Sequence, residues 1–108
     1  MNIGDIMIDK VEIVINEGLS NEELIMINNQ SKKAFVNGEV KEIPNDFVDR
    51  LIEIVKYWKK EYGSSNQFET TEYTISLFEG NIEETYHGKG IFPSNYNELK
   101  ELLGELRD

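Results

Sequence analysis

One stretch, residues 45–62, constrains the fold more than any other part of the sequence. It reads NDFVDRLIEIVKYWKKEY, and its apolar side chains recur at steps of three and four residues. This spacing places side chains on one face of a helix. Pro44 precedes the stretch, Asn45 or Asp46 can cap its first turn, and Gly63 follows where helices often end. The pattern predicts one long amphipathic helix.

Two strand-like segments precede this helix near the start of the chain. Residues 11–15 alternate apolar and polar side chains, which is typical of a half-buried strand. Residues 23–29 contain the uninterrupted apolar run LIMI. A short run of this kind predicts a central strand that is covered on both faces.

A hairpin is predicted between these strands and the helix. Asn37 and Gly38 separate the segments KKAFV and EVKEI. This residue pair is favoured in two-residue hairpin turns because both positions take positive φ. Such a turn places Phe35 opposite Val40.

A second hairpin is predicted over residues 71–87, after the helix. Its two strands meet at residues 80–81, Gly-Asn. A two-residue loop pairs Ile75 with Tyr86, whereas a three-residue loop pairs Thr74 with Tyr86. The two-residue loop is favoured because it puts the larger set of alternating apolar side chains on one face.

The chain ends in a second predicted helix. Asn95 and Glu98 have the spacing of a capping box, and an apolar stripe follows from Tyr96, Leu99, Leu102, Leu103 and Leu106. The order of elements is strands, long helix, β-hairpin and C-terminal helix. It predicts one α+β domain over residues 1–108, with an antiparallel sheet of about five or six strands and both helices on one face.

Composition narrows the classes of partner. Eleven Lys and Arg against 21 Asp and Glu give a net charge of −10, which disfavours nucleic acid and anionic membranes as partners. The chain has no cysteine, as is typical of proteins in a reducing compartment. The acidic N-terminal residues do not resemble a signal peptide, and no apolar run is long enough to span a bilayer. We expect a cytoplasmic protein.

The acidic residues are unevenly distributed. No Lys or Arg lies between residues 69 and 84, where the acids are Glu69, Glu72, Glu79, Glu83 and Glu84. A field of one sign steers a partner of opposite charge towards it. These five residues are therefore the predicted binding site for a basic protein partner.

Residues 86–96, YHGKGIFPSNY, form the second candidate site. They combine the single histidine with a glycine-flanked lysine and run into a helix N-terminus, where amides can bind an anion. The predicted ligand-binding residues are Tyr86, His87, Lys89 and Tyr96. The spacing matches neither a Walker loop nor a dinucleotide fingerprint. The structural alternative is that the glycines permit a turn while Phe92 and Pro93 fix the crossover to the helix.

His87 is the natural candidate for a general base. Catalysis would require a carboxylate beside it, for which Glu84 and Glu69 are candidates. We assign no catalytic residue and expect a binding protein rather than an enzyme. One histidine and no cysteine exclude the common zinc sites, and no segment has EF-hand spacing. We therefore expect no metal and no cofactor.

In general character the chain is similar to bacterial toxin-neutralising proteins of the immunity type and to other operon-encoded binding proteins. The resemblance is one of small size, acidity and lack of cysteine rather than of motif. It implies a module that inhibits a basic partner. Homodimerisation through an unpaired edge strand, either the N-terminal strand or the strand ending near His87, is a further option.

Overall fold

A computed structural model describes residues 8–17, 22–64 and 71–106 of the chain. Within these ranges it contains seven strands and two helices. They are β1 (Lys10–Glu17), β2 (Glu22–Asn28), β3 (Lys33–Val36), β4 (Glu39–Glu42), α1 (Phe47–Val55), β5 (Glu61–Ser64), β6 (Thr71–Glu79), β7 (Ile82–Lys89) and α2 (Tyr96–Gly104).

The strands form a single mixed sheet in the order β4-β3-β2-β1-β6-β7-β5. Neighbouring strands are antiparallel except for β5, which runs parallel to β7. The predicted α+β class with a sheet is confirmed. The prediction of an antiparallel sheet of about five or six strands is not matched exactly, because β5 adds a seventh strand that runs parallel to β7.

The prediction of one long helix over residues 45–62 is also wrong for the second half of this stretch. Helix α1 ends at Val55, after which the amide of Trp58 donates to the Val55 carbonyl at 2.9 Å. Trp58 is nevertheless buried, and Tyr62 packs against the core from β5. The apolar stripe therefore continues into the core through a turn and a strand. Gly63 lies within β5 rather than at a helix C-terminus.

Both hairpins have the predicted registers. Phe35 lies opposite Val40, and the turn residues Asn37 and Gly38 have φ of 49° and 94°. Ile75 lies opposite Tyr86, which confirms the two-residue loop in the second hairpin.

One hydrophobic core lies between one face of the sheet and the two helices. The strands contribute alternate side chains, and the helices contribute their apolar stripes. In β2, Ile25 and Ile27 face this core, whereas Leu24 and Met26 are 40% and 39% exposed. The prediction that β2 is covered on both faces is wrong, because both helices pack on the same side.

Among the described strands, β4 and β5 are at the edges of the sheet. The N-terminal strand β1 lies between β2 and β6, and β7, which carries His87, lies between β6 and β5. Neither β1 nor β7 is therefore at an edge of the described sheet, and most of residues 1–9 lies outside the described residues. Homodimerisation through an edge strand stays a prediction, for which β4 and β5 are the available strands.

Hydrogen bonds of the Asn95 side chain link the start of α2 to the end of α1. This residue is the N-cap of α2, as the capping-box spacing predicts, but its side chain makes no cap hydrogen bond. Its Oδ1 accepts a hydrogen bond from Trp58 Nε1 at 2.5 Å, and its Nδ2 donates to the Ile54 carbonyl at 2.9 Å. Asn95 thus satisfies polar groups at the end of α1 and fixes the start of α2 against it.

We expect Asn95→Ala to lower the free energy of unfolding by about 1–3 kcal/mol, because it leaves the Trp58 N–H and the Ile54 carbonyl without these partners. Urea denaturation followed by Trp fluorescence measures the change. The matched control is Asn97→Ala in the exposed part of α2, for which we expect a change within about 0.5 kcal/mol. Equal effects of the two substitutions would contradict this role.

The lack of a side chain at Gly88 leaves room for the ring of Tyr73, which is its cross-strand neighbour on β6. A Cβ at Gly88 would overlap with the hydroxyl and ring of Tyr73, whose position is fixed by burial and by a 2.5 Å hydrogen bond to the Ile91 carbonyl. This contact explains the glycine at residue 88 as a packing requirement.

We expect Gly88→Ala to destabilise the fold by about 1–3 kcal/mol through overpacking. Gly104→Ala is the control of opposite sign. An added Cβ there meets no atom within 4 Å, and alanine stabilises a helix by up to about 1 kcal/mol relative to glycine. Thermal denaturation of both variants tests the expectation, which fails if Gly88→Ala melts at or above the temperature of the unmodified protein.

Candidate functional site on the uncovered face of the sheet

The side of the sheet opposite the helices is the candidate site, and we call it the open face. No helix or strand among residues 8–17, 22–64 and 71–106 packs across it. Strand register places its side chains in rows across the sheet. One row consists of Val40, Phe35, Met26, Glu12, Ser76 and Thr85, and the next of Leu24, Val14, Thr74, His87 and Glu61.

The β4 end of the open face is apolar. Phe35 and Val40 are 43% and 63% exposed and lie beside Met26 and Leu24. Between them is a shallow depression of about 360 Å³, lined mainly by apolar side chains and also by Lys10, Asn28 and Lys33. Contiguous exposed apolar side chains are uncommon on monomers and mark sites of interaction.

The β5 end of the open face carries His87 between two carboxylates. Its Nδ1 lies 2.8 Å from Glu61 Oε1, and its Nε2 lies 2.7 Å from Glu72 Oε2. The three residues come from three neighbouring strands, since Glu61 is on β5, His87 on β7 and Glu72 on β6. The imidazole thus bridges the last three strands of the sheet.

The two contacts determine the protonation of His87. A neutral imidazole has one N–H, so donation to both carboxylates requires the imidazolium form. The hydrogen bond to Glu72, followed by that to Glu61, raises the pKa of His87 above its usual range, and partial burial opposes the rise. The site therefore holds a charged histidine over a wider pH range than a free one.

The carboxylates beside His87 are not those considered from the sequence. Glu84 lies instead within 3.1 Å of Lys60 Nζ and accepts a hydrogen bond from the Tyr86 hydroxyl, while Glu69 lies outside the described residues. Glu61 was missed because the helical pattern assigned it to the long helix. Only the assignment of residues 61–64 to a strand, and not to the long helix, could have placed Glu61 beside His87.

The predicted acidic site is divided between the two sides of the sheet. Glu72 and Glu83 share the open face with His87, whereas strand alternation places Glu79 and Glu84 on the side of the helices. The four described acids therefore do not form one continuous surface. The open face also carries Glu12 and Glu61, which were not among the acids predicted from the sequence.

The candidate loop at residues 86–96 is likewise divided. His87 and Lys89 lie on the open face, whereas Tyr86 and Tyr96 pack around Trp58 with ring centroids 6.4 Å and 6.3 Å from it. Phe92 stacks on Tyr73, and Pro93 is buried. This packing agrees with the structural alternative for the loop. Ligand binding by these four residues stays a prediction.

Comparison with protein-family models, curated proteins and solved structures found no significant match to this chain. Among the described residues, no helix is long and apolar enough to cross a membrane. No group of three or more His, Asp or Glu side chains in the same part of the chain is arranged to hold a metal ion.

The bridge at His87 predicts a pH-dependent stability. A raised pKa in the folded state means that its stabilising contribution is complete below the unfolded pKa of about 6.5 and is lost as pH rises through the folded pKa. We expect the free energy of unfolding to fall over this window. Urea denaturation at a series of pH values measures it, and His87→Gln should remove this part of the slope. A slope that is unchanged in the variant would contradict the assignment.

Proposed function

We propose that this chain is a protein-binding module of the immunity or inhibitor type, which binds a basic protein partner through the open face of its sheet. The observation that supports this function best is the uncovered sheet face itself, on which exposed apolar side chains at the β4 end adjoin carboxylates towards the β5 end. Protein interfaces combine an apolar centre with a polar rim in this way.

The apolar end provides the anchor of the proposed interface. The depression beside Met26, Phe35 and Val40 can accept one or two apolar side chains of a partner. Aromatic residues that are buried on binding contribute much of the affinity of an interface. Phe35 is therefore the side chain of the open face whose loss we expect to weaken binding most.

The charges favour a basic partner over a second copy of the chain. The net charge of −10 repels another copy, and Glu12, Glu61, Glu72 and Glu83 lie on the open face itself. Lys10 and Lys33 line the depression at the opposite end. The charge of the open face therefore changes from basic near the depression to acidic towards β5 and β7. A partner with its basic groups towards β5 and β7 matches this arrangement.

A partner is sought by tagged capture from the native host lysate at low and at high salt. We expect a basic protein that is retained at low salt and associates more slowly as salt increases. The affinity of Phe35→Ser for the captured protein should fall by at least tenfold. The matched control is Tyr57→Ser, which removes an aromatic side chain that is 76% exposed on α1's side of the protein.

Two outcomes would contradict the proposal. Loss of binding in Tyr57→Ser with full binding in Phe35→Ser would place the interface on the helical side. A rate of association that does not change with salt would remove the argument for a basic partner.

A further inference from the structure

The bridge between Glu61, His87 and Glu72 is held in place by the backbone of the sheet. The amide of His87 donates to the Lys60 carbonyl at 3.0 Å, and Glu61 lies in register with His87 in the parallel pair of β5 and β7. On the other side, His87 lies in register with Thr74, two residues from Glu72 along β6. Strand pairing therefore brings both carboxylates to one imidazole.

Loss of one proton changes this group in a defined way. The imidazolium donates from Nδ1 to Glu61 and from Nε2 to Glu72, and its charge offsets one of the two carboxylates. Neutral imidazole keeps one N–H, so its other nitrogen presents a lone pair to a carboxylate oxygen at less than 3 Å. That carboxylate then has no donor from His87 and is available to another cation.

The neighbouring charged side chains do not replace His87 as a partner of Glu61 and Glu72. Lys89 is in register with Glu72 on the same face, and no ion pair within 4 Å joins them among the described residues. Glu83 is farther along β7 and accepts a hydrogen bond from Thr85. Lys60 turns its Nζ to Glu84, on the side of the helices. His87 is thus the cation that pairs with Glu61 and Glu72 inside the molecule.

We propose that His87 is a proton-dependent clasp on the open face, which holds Glu61 and Glu72 when it is protonated and releases carboxylate charge to a cationic partner when it is neutral. This inference rests on the proposed function and adds its regulation. Proton binding and partner binding then oppose each other, and the coupling is reciprocal. Affinity for a cationic partner increases with pH, and the partner lowers the pH at which His87 loses its proton.

The first experiment tests the clasp without a partner. His87 is the single histidine of the chain, so one pair of imidazole C–H signals in proton NMR reports its titration. We expect a midpoint above the unperturbed value of about 6.5, lowered by Glu72→Gln and by Glu61→Gln. The control is Glu98→Gln on α2, which should leave the midpoint unchanged. A midpoint at or below the unperturbed value, with no response to either substitution, would overturn the clasp.

The second experiment tests the linkage with an octa-arginine peptide as the cationic probe. Its affinity is measured by calorimetry at constant ionic strength, about one pH unit below and one above the His87 midpoint. We expect binding to be about two- to fivefold tighter at the higher of these two pH values, which corresponds to a shift of the midpoint by about half to one unit. His87→Gln should bind the peptide with nearly the same affinity at both pH values.

The outcomes separate the clasp from the proposed function. Peptide binding that does not change with pH, or that changes equally in His87→Gln, overturns the linkage and leaves the protein-binding proposal standing. A peptide that does not bind at either pH contradicts the expected preference of the open face for cations, and with it the linkage. In every case the NMR titration decides whether protonated His87 holds Glu61 and Glu72, and the peptide experiment decides whether its deprotonation favours a cationic partner.

Discussion

Burial of only one side of the sheet is the constraint on which the rest of this structure depends. The strands alternate their side chains, so one set enters the core and the other set lies on the open face. Both helices follow β4 in the chain and pack on the same side. A seven-stranded sheet therefore has a broad surface that can be used for binding without any change in the core.

Alternation and turn chemistry in the sequence were sufficient to predict much of the fold. Asn37 and Gly38 specify the first hairpin because both residues take positive φ. Alternating apolar side chains specify the second, because a register shift by one residue would turn Ile75 away from the core. The α+β class follows from these strands and two apolar stripes at helical spacing. Each of these signals is local, and local signals suffice for neighbouring strands.

The remaining features depend on contacts between distant residues. The stripe from Phe47 to Tyr62 has helical period, yet Trp58 enters the core from a turn where its indole bonds to Asn95. Periodicity records which side chains are buried and does not distinguish a helix from a turn and a strand that bury the same ones. The candidate site shares this limit, because Glu61 and Glu72 meet His87 only after β5 pairs in parallel with β7.

The pairing of β1 with β6 has a consequence for the order of folding. Strands β1 to β4 form a meander of neighbours, whereas β1 also pairs along its whole length with β6, from which five other elements separate it in sequence. Closing such a long loop costs chain entropy before the new contacts repay it. During synthesis from the N-terminus, the meander emerges with the outer edge of β1 unpaired until β6 has left the ribosome. The centre of the finished sheet therefore cannot form until much of the second half of the chain has been made.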